Sequence, residues 1–388
     1  MRVLAIASPS TTHFMPAVPL VDALRAAGHD VLFAGQPDVI GMARGAGLPT
    51  VTVGEHFDAD NFYRRLPPDR RPIEVGLAQI GHDQWDGVGQ SWAYHARYLL
   101  EPYLELAREW RTDLIVADPL EYASLVIGAV LGVPTVHHRW GAELMTPAGH
   151  RLAGRILHSR CDRHGVSGGL PAPTVVLDPF PAAWAAPGVE PGRPIRPVPY
   201  PGGGSVRPDS ARPPGHRRRV LVSLGLATVR LGGLPLVQHL ADALADLPGV
   251  EALITLDPPH RGRLRLAPNV QAIPPTPLDG LVDTSDLVIH HGGAGTAIAT
   301  LMAGLPHLLL PQLMDQLIRC EVIAASGAAL RLTDAASQND PRVIRAAVSR
   351  LLDEASFRQA AIRLRDEAEA LPDPRRVAAD LEELVAQH

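Results

Sequence analysis

The stretch His290-His291-Gly292-Gly293-Ala294-Gly295-Thr296 joins two apolar segments of this 388-residue chain through three glycines. The apolar run Leu287–Ile289 precedes it, and an apolar helical pattern follows over 297–303. This order predicts a buried strand, a glycine-rich turn and the start of a helix. At such a turn, free backbone N–H groups meet the positive end of the helix dipole, about +0.5 charge. The turn therefore favours a phosphate or diphosphate, which the glycines allow the backbone to approach closely.

An alternative interpretation is a tight strand-to-helix connection whose glycines serve only packing. The turn matches neither Gly-x-x-x-x-Gly-Lys-Ser/Thr nor the spacing of Gly-x-Gly-x-x-Gly, which argues against an ATPase and against a standard dinucleotide site. The chain contains no lysine, so all 36 of its basic residues are arginine. A phosphate-loop lysine and a Schiff-base lysine are thereby excluded.

Short apolar runs alternate with helical patterns on both sides of a central break. Before the break, runs such as Val3–Ala7 and Leu114–Val116 predict strands, and patterns such as Pro102–Trp110 and Ala123–Leu131 predict helices. Residues 186–216 are dense in Pro, Gly and Arg, and the alternation then resumes. The pattern predicts an α/β protein with two Rossmann-like domains, each a parallel sheet covered by helices.

The domain boundaries follow from this alternation. We expect an N-terminal domain at 1–200, a linker at 201–216, a C-terminal domain at 217–372 and a C-terminal helix at 373–388. Ligands of parallel sheets bind just outside the carboxyl ends of the strands. The site is therefore expected in the cleft between the two domains.

Composition limits the partners and the compartment. The formal charge of −5 gives no reason to expect nucleic acid or an anionic membrane surface. No apolar run approaches the roughly 20 residues of a membrane span. Cys161 and Cys320 lie far apart without metal-type spacing. A reduced, cytoplasmic setting is therefore expected, while the oligomeric state, including a homodimer, stays open.

Two titratable residues follow predicted strands of the first domain. His13 lies in the loop after the first strand, where a histidine acts as a general base near neutral pH. Asp118 ends the strand that starts at Leu114 and would orient the histidine. The alternatives are an ordinary loop histidine and a turn aspartate before proline. Glu121 competes with Asp118 for the supporting role.

Further candidates line the same cleft. Asp315 and Gln316 follow a strand of the second domain and would grip sugar hydroxyls, or simply begin a helix. Ser223, after that domain's first strand, would lie near the phosphates. The aromatic residues Trp85, Trp92, Tyr94, Tyr98 and Trp140 form either an acceptor surface or a buried cluster.

Taken together, these motifs resemble those of the family 1 glycosyltransferases of the GT-B fold, over essentially the whole chain. They look closest to the actinobacterial deoxysugar transferases of the calicheamicin and urdamycin type, which act in antibiotic biosynthesis. The resemblance is carried by Met1–Leu4, His13-x-x-Pro16, Ala27–Val31, Val288–Thr296, Ala303–Pro306 and Pro311-x-x-x-Asp315-Gln316.

The resemblance implies an inverting enzyme that needs no metal or other cofactor and uses a dTDP-sugar or UDP-sugar as donor. A small-molecule aglycone such as a polyketide is the implied acceptor, and the C-terminal helix at 373–388 is implied to pack back on the first domain. By this resemblance, His13 is the base and Asp118 supports it, while Asp315 and Gln316 bind the donor sugar. The residues implied to bind the diphosphate are His291, Gly292, Gly293, Ala294, Gly295, Thr296 and Ser223. The implied nucleobase loop contains Pro275, Thr276 and Leu278, and the implied acceptor residues are Phe14, Trp85, Trp92 and Trp140.

Two positions depart from the family pattern. Pro275 stands where many relatives have a tryptophan, and Thr12 stands where a glycine commonly precedes the histidine. The residues alone also leave open C-glycosylation, an epimerase of the same fold, a nucleotide-dependent oxidoreductase and a non-catalytic sugar-binding protein.

Overall fold

The computed structural model describes residues 1–57, 67, 70–76, 85–142, 145–200 and 218–388. The predicted linker at 201–216 lies outside these residues. Within the described ranges, no helix is long and apolar enough to cross a membrane.

Seven short strands build the sheet of the first domain. They are β1 (Arg2–Ile6), β2 (Asp30–Gly35), β3 (Thr50–Thr52), β4 (Leu114–Ala117), β5 (Thr135–His138), β6 (Val175–Asp178) and β7 (Arg193–Pro194). All pairs are parallel, in the order β3-β2-β1-β4-β5-β6-β7. In β1, Leu4 and Ile6 join one core while Val3 and Ala5 join the other, which is why the strand is apolar without interruption. Because β7 is an edge strand, the composition break at 186 does not end the domain.

Helices cover both faces of this sheet. They are α1 (Thr11–Phe14), α2 (Val18–Ala26), α3 (Pro37–Gly45), α4 (Trp85–Trp110), α5 (Ala123–Leu131) and α6 (Met145–Arg163). Helix α4 contains Pro102, where the sequence pattern predicts a helix start. The proline leaves the carbonyl of Tyr98 without its helical partner, and Tyr98 lies on an exposed face where water can replace it.

The second domain repeats the plan with six strands. They are β8 (Arg218–Ser223), β9 (Val250–Thr255), β10 (Val270–Ile273), β11 (Leu287–His290), β12 (His307–Leu309) and β13 (Ala329–Arg331). All are parallel, in the order β10-β9-β8-β11-β12-β13. The helices are α7 (Gly225–Thr228), α8 (Leu234–Ala245), α9 (Pro258–Arg261), α10 (Asp279–Val282), α11 (Ala294–Met302), α12 (Met314–Ala325), α13 (Ala335–Gln338), α14 (Pro341–Asp353), α15 (Ala355–Glu369) and α16 (Pro374–Ala386).

The last helix belongs to the core of the first domain. Val377, Ala378 and Leu381 of α16 are buried in the cluster that contains Leu20 of α2. The backbone N–H of Arg196 also donates to the carbonyl of Pro372 at 2.7 Å. The chain therefore crosses between the domains twice.

Each sheet reverses its strand order at one point, between β1 and β4 in the first and between β8 and β11 in the second. The loops that leave these four strands diverge to opposite faces, which opens a crevice at the carboxyl ends. His13 and Asp118 follow β1 and β4, while Ser223 and His291 stand at the ends of β8 and β11. The topology thus puts the predicted site residues beside both crevices.

Candidate active site

His13 lies in the single turn α1, directly after β1. Its Nδ1 is 2.7 Å from Ser8 Oγ and 3.8 Å from Asp118 Oδ1, and its side chain is 15% exposed. These contacts engage Nδ1, so Nε2 is the nitrogen left for a reacting partner. The structure therefore places His13 and Asp118 side by side, as the sequence predicts.

Ser8 connects these two residues, and sequence reasoning missed it. Its backbone N–H donates to Asp118 Oδ2 at 2.7 Å, while Asp118 Oδ1 accepts from the N–H of Leu120 at 3.0 Å. The carboxylate is buried and held by two backbone donors, so it cannot rotate freely. Asp118 therefore orients the imidazole both through space and through the hydroxyl of Ser8.

The electrostatics of His13 keep it in the base form. Burial lowers the pKa of His13 below its usual 6.5, the carboxylates of Asp118 and Asp315 oppose this, and Arg319 reinforces it. At neutral pH the imidazole is therefore uncharged and able to accept a proton.

Glu121 does not compete for this role. It is fully buried, with Oε2 3.9 Å from His95 Nδ1, and in the described part of the chain neither of its carboxylate oxygens has a hydrogen-bond partner. Burial, aided by the nearby charge of Asp118, raises the pKa of Glu121 well above its usual value. The side chain faces the helical layer rather than His13.

Two tryptophans enclose the His13 ring. Trp140 stacks on it, with ring centroids 4.3 Å apart, and Trp92 packs at 5.8 Å. Both are nearly buried, so they shape the wall around the histidine more than they offer an open surface. Tyr94 and Tyr98 are exposed on α4, and the aromatic residues therefore do not form one cluster.

Phe14, a predicted acceptor residue, does not face the cleft with His13 in this structure. Phe14 is 2% exposed and packs on Phe33, at 4.4 Å between ring centroids, in the core that also holds α16. One residue along a helix turns the side chain by about 100°, so His13 and Phe14 point to different surroundings. Trp85 begins α4, but its side chain lies outside the described part of the structure.

The glycine-rich turn has the predicted strand–turn–helix form. Strand β11 ends at His290, Gly293 is the N-cap residue and α11 begins at Ala294. Gly292 has φ +87°, and a Cβ there would lie 2.5 Å from Cys320 Sγ. Only glycine fits this position, because it needs both the left-handed backbone and close contact with α12.

Gly292→Ala is expected to lower the free energy of unfolding by at least about 1–3 kcal/mol, the cost of left-handed backbone alone. The added contact with Cys320 increases that loss. Urea unfolding followed by circular dichroism measures it. Gly295→Ala is the matched control, since a Cβ there meets nothing within 4 Å and its φ is not positive. Equal stability of the two variants would contradict the assignment.

His291 is wedged between two glycines. A Cβ on Gly225 would lie 2.8 Å from the ring, and one on Gly293 would lie 2.5 Å from it. Its Nδ1 is buried without a hydrogen-bond partner in the described structure. Burial lowers the pKa of His291 to about 4. The charge of Asp315 and a hydrogen bond to the backbone of Ser223 raise this pKa, and the charge of Arg319 lowers it further. At neutral pH the ring therefore offers a hydrogen bond rather than a charge.

His290 serves the fold instead. Gly292 donates its N–H to His290 Nδ1 at 3.1 Å, and His290 Nε2 lies 2.9 Å from His307 Nδ1. Because Nδ1 accepts, Nε2 carries the proton and donates to His307. Burial, reinforced by His307, holds the pKa of His290 well below its usual value. Of the two adjacent histidines, His290 therefore stabilises the fold and His291 lies at the cleft.

Arg319 was not predicted, although it lies on the same face of α12 as Asp315. Its Nη1 donates to the carbonyl of Gly292 at 2.6 Å, and its Nη2 is 3.5 Å from Asp315 Oδ2. A Cβ on Gly141 of the first domain would lie 3.1 Å from its Nε. Asp315 and Arg319 influence the pKa of both His13 and His291. Both imidazoles therefore face the same part of the cleft.

Asp315 and Gln316 differ in their freedom to bind a ligand. Asp315 is about one-third exposed in the first turn of α12. Gln316 is buried, and its Oε1 accepts from the N–H groups of Gln312 at 2.9 Å and Leu313 at 3.2 Å. The oxygen of Gln316 is therefore occupied in capping the helix.

The predicted nucleobase loop precedes α10. Pro275 is exposed, Thr276 Oγ1 donates to the carbonyl of Pro274 at 3.0 Å, and Leu278 packs on the core beneath. Within the described residues, no group of three or more His, Cys, Asp or Glu side chains is arranged to hold a metal ion.

Comparisons with known proteins agree with this architecture. Residues 22–225 and 238–384 match the N-terminal and C-terminal domains described as Erythromycin biosynthesis protein CIII-like. The chain is 32% identical to 10-deoxymethynolide desosaminyltransferase of Streptomyces venezuelae, covering 100% of this chain and 98% of the relative. It is 34% identical to elloramycin glycosyltransferase ElmGT of Streptomyces olivaceus, covering 98% and 97%.

Among solved structures, the spinosyn rhamnosyltransferase SpnG superposes with a TM-score of 0.87 at 34% identity, covering 98% of this chain and 100% of SpnG. The two facing Rossmann-like domains define the GT-B class of glycosyltransferases. The chain belongs to the Erythromycin biosynthesis protein CIII-like family of that class and is a glycosyltransferase.

Proposed function

We propose that this glycosyltransferase moves a deoxysugar from a dTDP-sugar to a hydroxyl group of a natural-product aglycone, with inversion and without a metal ion. The observation that carries the proposal is the placement of a neutral, oriented His13 on one wall and the His291 turn on the other. SpnG has been solved with thymidine diphosphate and with spinosyn aglycone, which supports these two ligand classes for a protein of the same family.

The proposed step assigns one task to each wall. The acceptor oxygen gives its proton to His13 Nε2 and forms a bond to the anomeric carbon of the sugar. The bond from that carbon to the diphosphate oxygen breaks, and dTDP leaves with the electron pair. Because base and leaving group occupy opposite walls, the displacement is in line and inverts the anomeric centre.

The turn after β11 is suited to the leaving group. Free N–H groups at the start of α11, from Gly293 to Thr296, and the imidazole of His291 would meet the negative charge as it develops. Ser223 closes the same crevice, and Arg319 fixes Gly292 through its carbonyl. In this proposal a bound diphosphate raises the pKa of His291 toward neutrality.

The remaining site residues divide between donor and acceptor. Asp315 would bind donor hydroxyls directly, while Gln316 would offer only its amide N–H groups. Pro275, Thr276 and Leu278 would line the nucleobase without an aromatic stack. Trp92 and Trp140 would border the acceptor next to His13.

Calorimetric titration with dTDP tests the donor assignment. The wild type is expected to bind dTDP, and His291→Ala is expected to weaken binding about tenfold, or about 1.4 kcal/mol, because a hydrogen bond to a charged group is lost. His158→Ala is the control, since His158 is largely exposed on α6. Equal affinity of His291→Ala and wild type would exclude the diphosphate role.

Product analysis tests the reaction itself. Incubation with dTDP-deoxysugars and a panel of hydroxylated aglycones should give a glycoside whose anomeric configuration, read by NMR, is opposite to that of the donor. Turnover should persist in excess EDTA. Retention of configuration, or loss of turnover on chelation, would refute the corresponding part of the proposal.

A further inference from the structure

A buried arginine joins the two domains close to the donor-sugar residues. Arg71 precedes the short turn Pro72–Val75 of the first domain and is 1% exposed. Its Nη1 donates to Gln312 Oε1 at 3.2 Å and to Gln338 Oε1 at 2.5 Å, and its Nη2 donates to Asn339 Oδ1 at 2.6 Å. All three acceptors belong to the second domain.

Glu74 balances the buried charge of Arg71. Arg71 donates from Nη2 to Glu74 Oε1 at 3.1 Å and from its backbone N–H to Glu74 Oε2 at 2.9 Å. Asn339 Nδ2 also donates to Glu74 Oε1, at 3.1 Å. Although partial burial of Glu74 opposes ionisation, the hydrogen bonds from Arg71 and Asn339 lower the pKa of its carboxyl. Glu74 therefore neutralises the charge of Arg71 at the contact with the second domain, as a buried arginine requires.

The contact leads to the loop that carries the donor-sugar residues. Gln338 Oε1 also accepts from Gln312 Nε2 at 2.8 Å, and Gln338 Nε2 donates to the carbonyl of Pro311 at 3.0 Å. The N–H of Gln312 donates to Gln316 Oε1, which fixes the first turn of α12. A continuous hydrogen-bond network thus runs from Arg71 to the turn that holds Asp315.

None of these contacts involves the phosphate turn. The network reaches residues 311–316 from the side of α13, whereas the carbonyl of Gly292 accepts from Arg319, one turn further along α12 than Asp315. Loss of Arg71 would leave the buried amide oxygen of Gln312 and the part-buried one of Asn339 without a donor, and would leave Gln338 Oε1 with Gln312 Nε2 alone. Their side chains, and the loop they hold, would then take up new positions.

We propose that Arg71 is a positioning residue that holds the loop 311–316 from the first domain, so that the donor-sugar site is complete only when the two domains are joined by this contact. The inference rests on the proposed function, because it assigns the sugar of the donor to Asp315 and Gln316. It predicts a selective defect, since the sugar part of the donor depends on Arg71 and the nucleotide part does not.

Arg71→Ala is expected to raise the KM for the dTDP-sugar and lower kcat/KM by about 10-fold to 100-fold, as a displaced binding loop does. The Kd for dTDP itself should stay within about threefold, below the effect that loss of one hydrogen bond to a charged group produces. Arg71→Lys should recover only part of the lost kcat/KM, because a single ammonium group cannot replace both Nη1 and Nη2.

Arg70→Ala is the control: Arg70 is exposed and touches only Glu74 among the described residues of the network. Equal losses of dTDP and dTDP-sugar binding, or wild-type kinetics, would overturn the proposal.

A double-mutant cycle separates this contact from the catalytic assignment. In urea unfolding, the losses from Arg71→Ala and Asn339→Ala should not add, because each breaks the same hydrogen bond. Strictly additive losses would show that the contact does not hold the domains together in solution. If the wild type bound no dTDP, the proposed function would fail, whereas the unfolding cycle would still decide whether Arg71 joins the domains.

Discussion

His13→Ala is expected to lower kcat by about 10²–10⁴-fold, the usual contribution of a positioned general base. Nε2 of His13 faces the cleft because Nδ1 is engaged by Ser8 and Asp118. In the proposed mechanism the diphosphate binds on the opposite wall, so the Kd for dTDP should not change. Steady-state kinetics with the best acceptor and calorimetry with dTDP measure the two quantities. Wild-type kcat in this variant would remove His13 from the mechanism.

Asp118→Asn checks the same assignment through pH. Asp118 raises the pKa of His13, so an amide in its place should lower that pKa further and shift the acid limb of kcat/KM to lower pH. The rate should also fall, because the orientation of the imidazole is lost. Ser8→Ala should show the loss of rate with a smaller shift, since the serine carries no charge. Circular dichroism checks that each variant is folded.

The sequence was informative where one element determines the geometry. A buried run, three glycines and an apolar helix require the turn at His290–Thr296, whatever surrounds it. The strand–helix alternation likewise predicts two parallel sheets, and a histidine just after β1 must lie near the carboxyl edge. These features depend on residues close together in the chain, and the fold and the family confirm them.

The features that the sequence did not reveal depend on distant contacts. Arg71 contacts Gln312 and Gln338, and nothing in the local pattern around Arg71 indicates an interdomain role. Arg319 has the spacing of an ordinary helical ion pair with Asp315, and its bond to Gly292 appears only when α12 is packed on the turn. The burial of Phe14 was not predicted for a related reason, because a one-turn helix gives no periodicity from which to choose its buried face.

Below pH 6, this protein is expected to lose stability steeply. His95, His137, His138 and His307 are each at most 5% exposed. Burial is the first cause in every case, and it lowers the pKa of His95 and His138 to about 4 and that of His137 and His307 to about 3. In the unfolded chain each titrates near 6.5. As the pH falls through 6.5, the unfolded chain binds protons that the folded chain does not, so the folded state becomes less favourable.

The size of this effect is comparable to the whole stability of a domain. At pH 5.5 each histidine contributes on the order of 1 kcal/mol of destabilisation, and four together contribute several kcal/mol, against typical stabilities of about 5–15 kcal/mol. Urea unfolding at pH 7.5, 6.5 and 5.5 measures the slope. His137→Gln should reduce the stability loss between pH 7.5 and pH 5.5 by about 1.4 kcal/mol, the share of one histidine, and His158→Gln, on an exposed face of α6, is the control. A stability independent of pH over this range would contradict the buried, neutral state of these rings.

The same titration determines how a pH–rate profile must be interpreted. Burial also lowers the pKa of His13 from its usual 6.5, so protonation of the base and unfolding driven by the buried histidines both reduce activity as the pH falls. Protonation of His13 is complete within the mixing time and reverses at once when the pH is raised, whereas refolding of two coupled parallel sheets is slow. Enzyme held at pH 5 and returned to pH 7.5 is therefore expected to regain activity with a lag. Circular dichroism should recover over the same interval. Immediate and complete recovery would instead assign the acid loss to His13 alone.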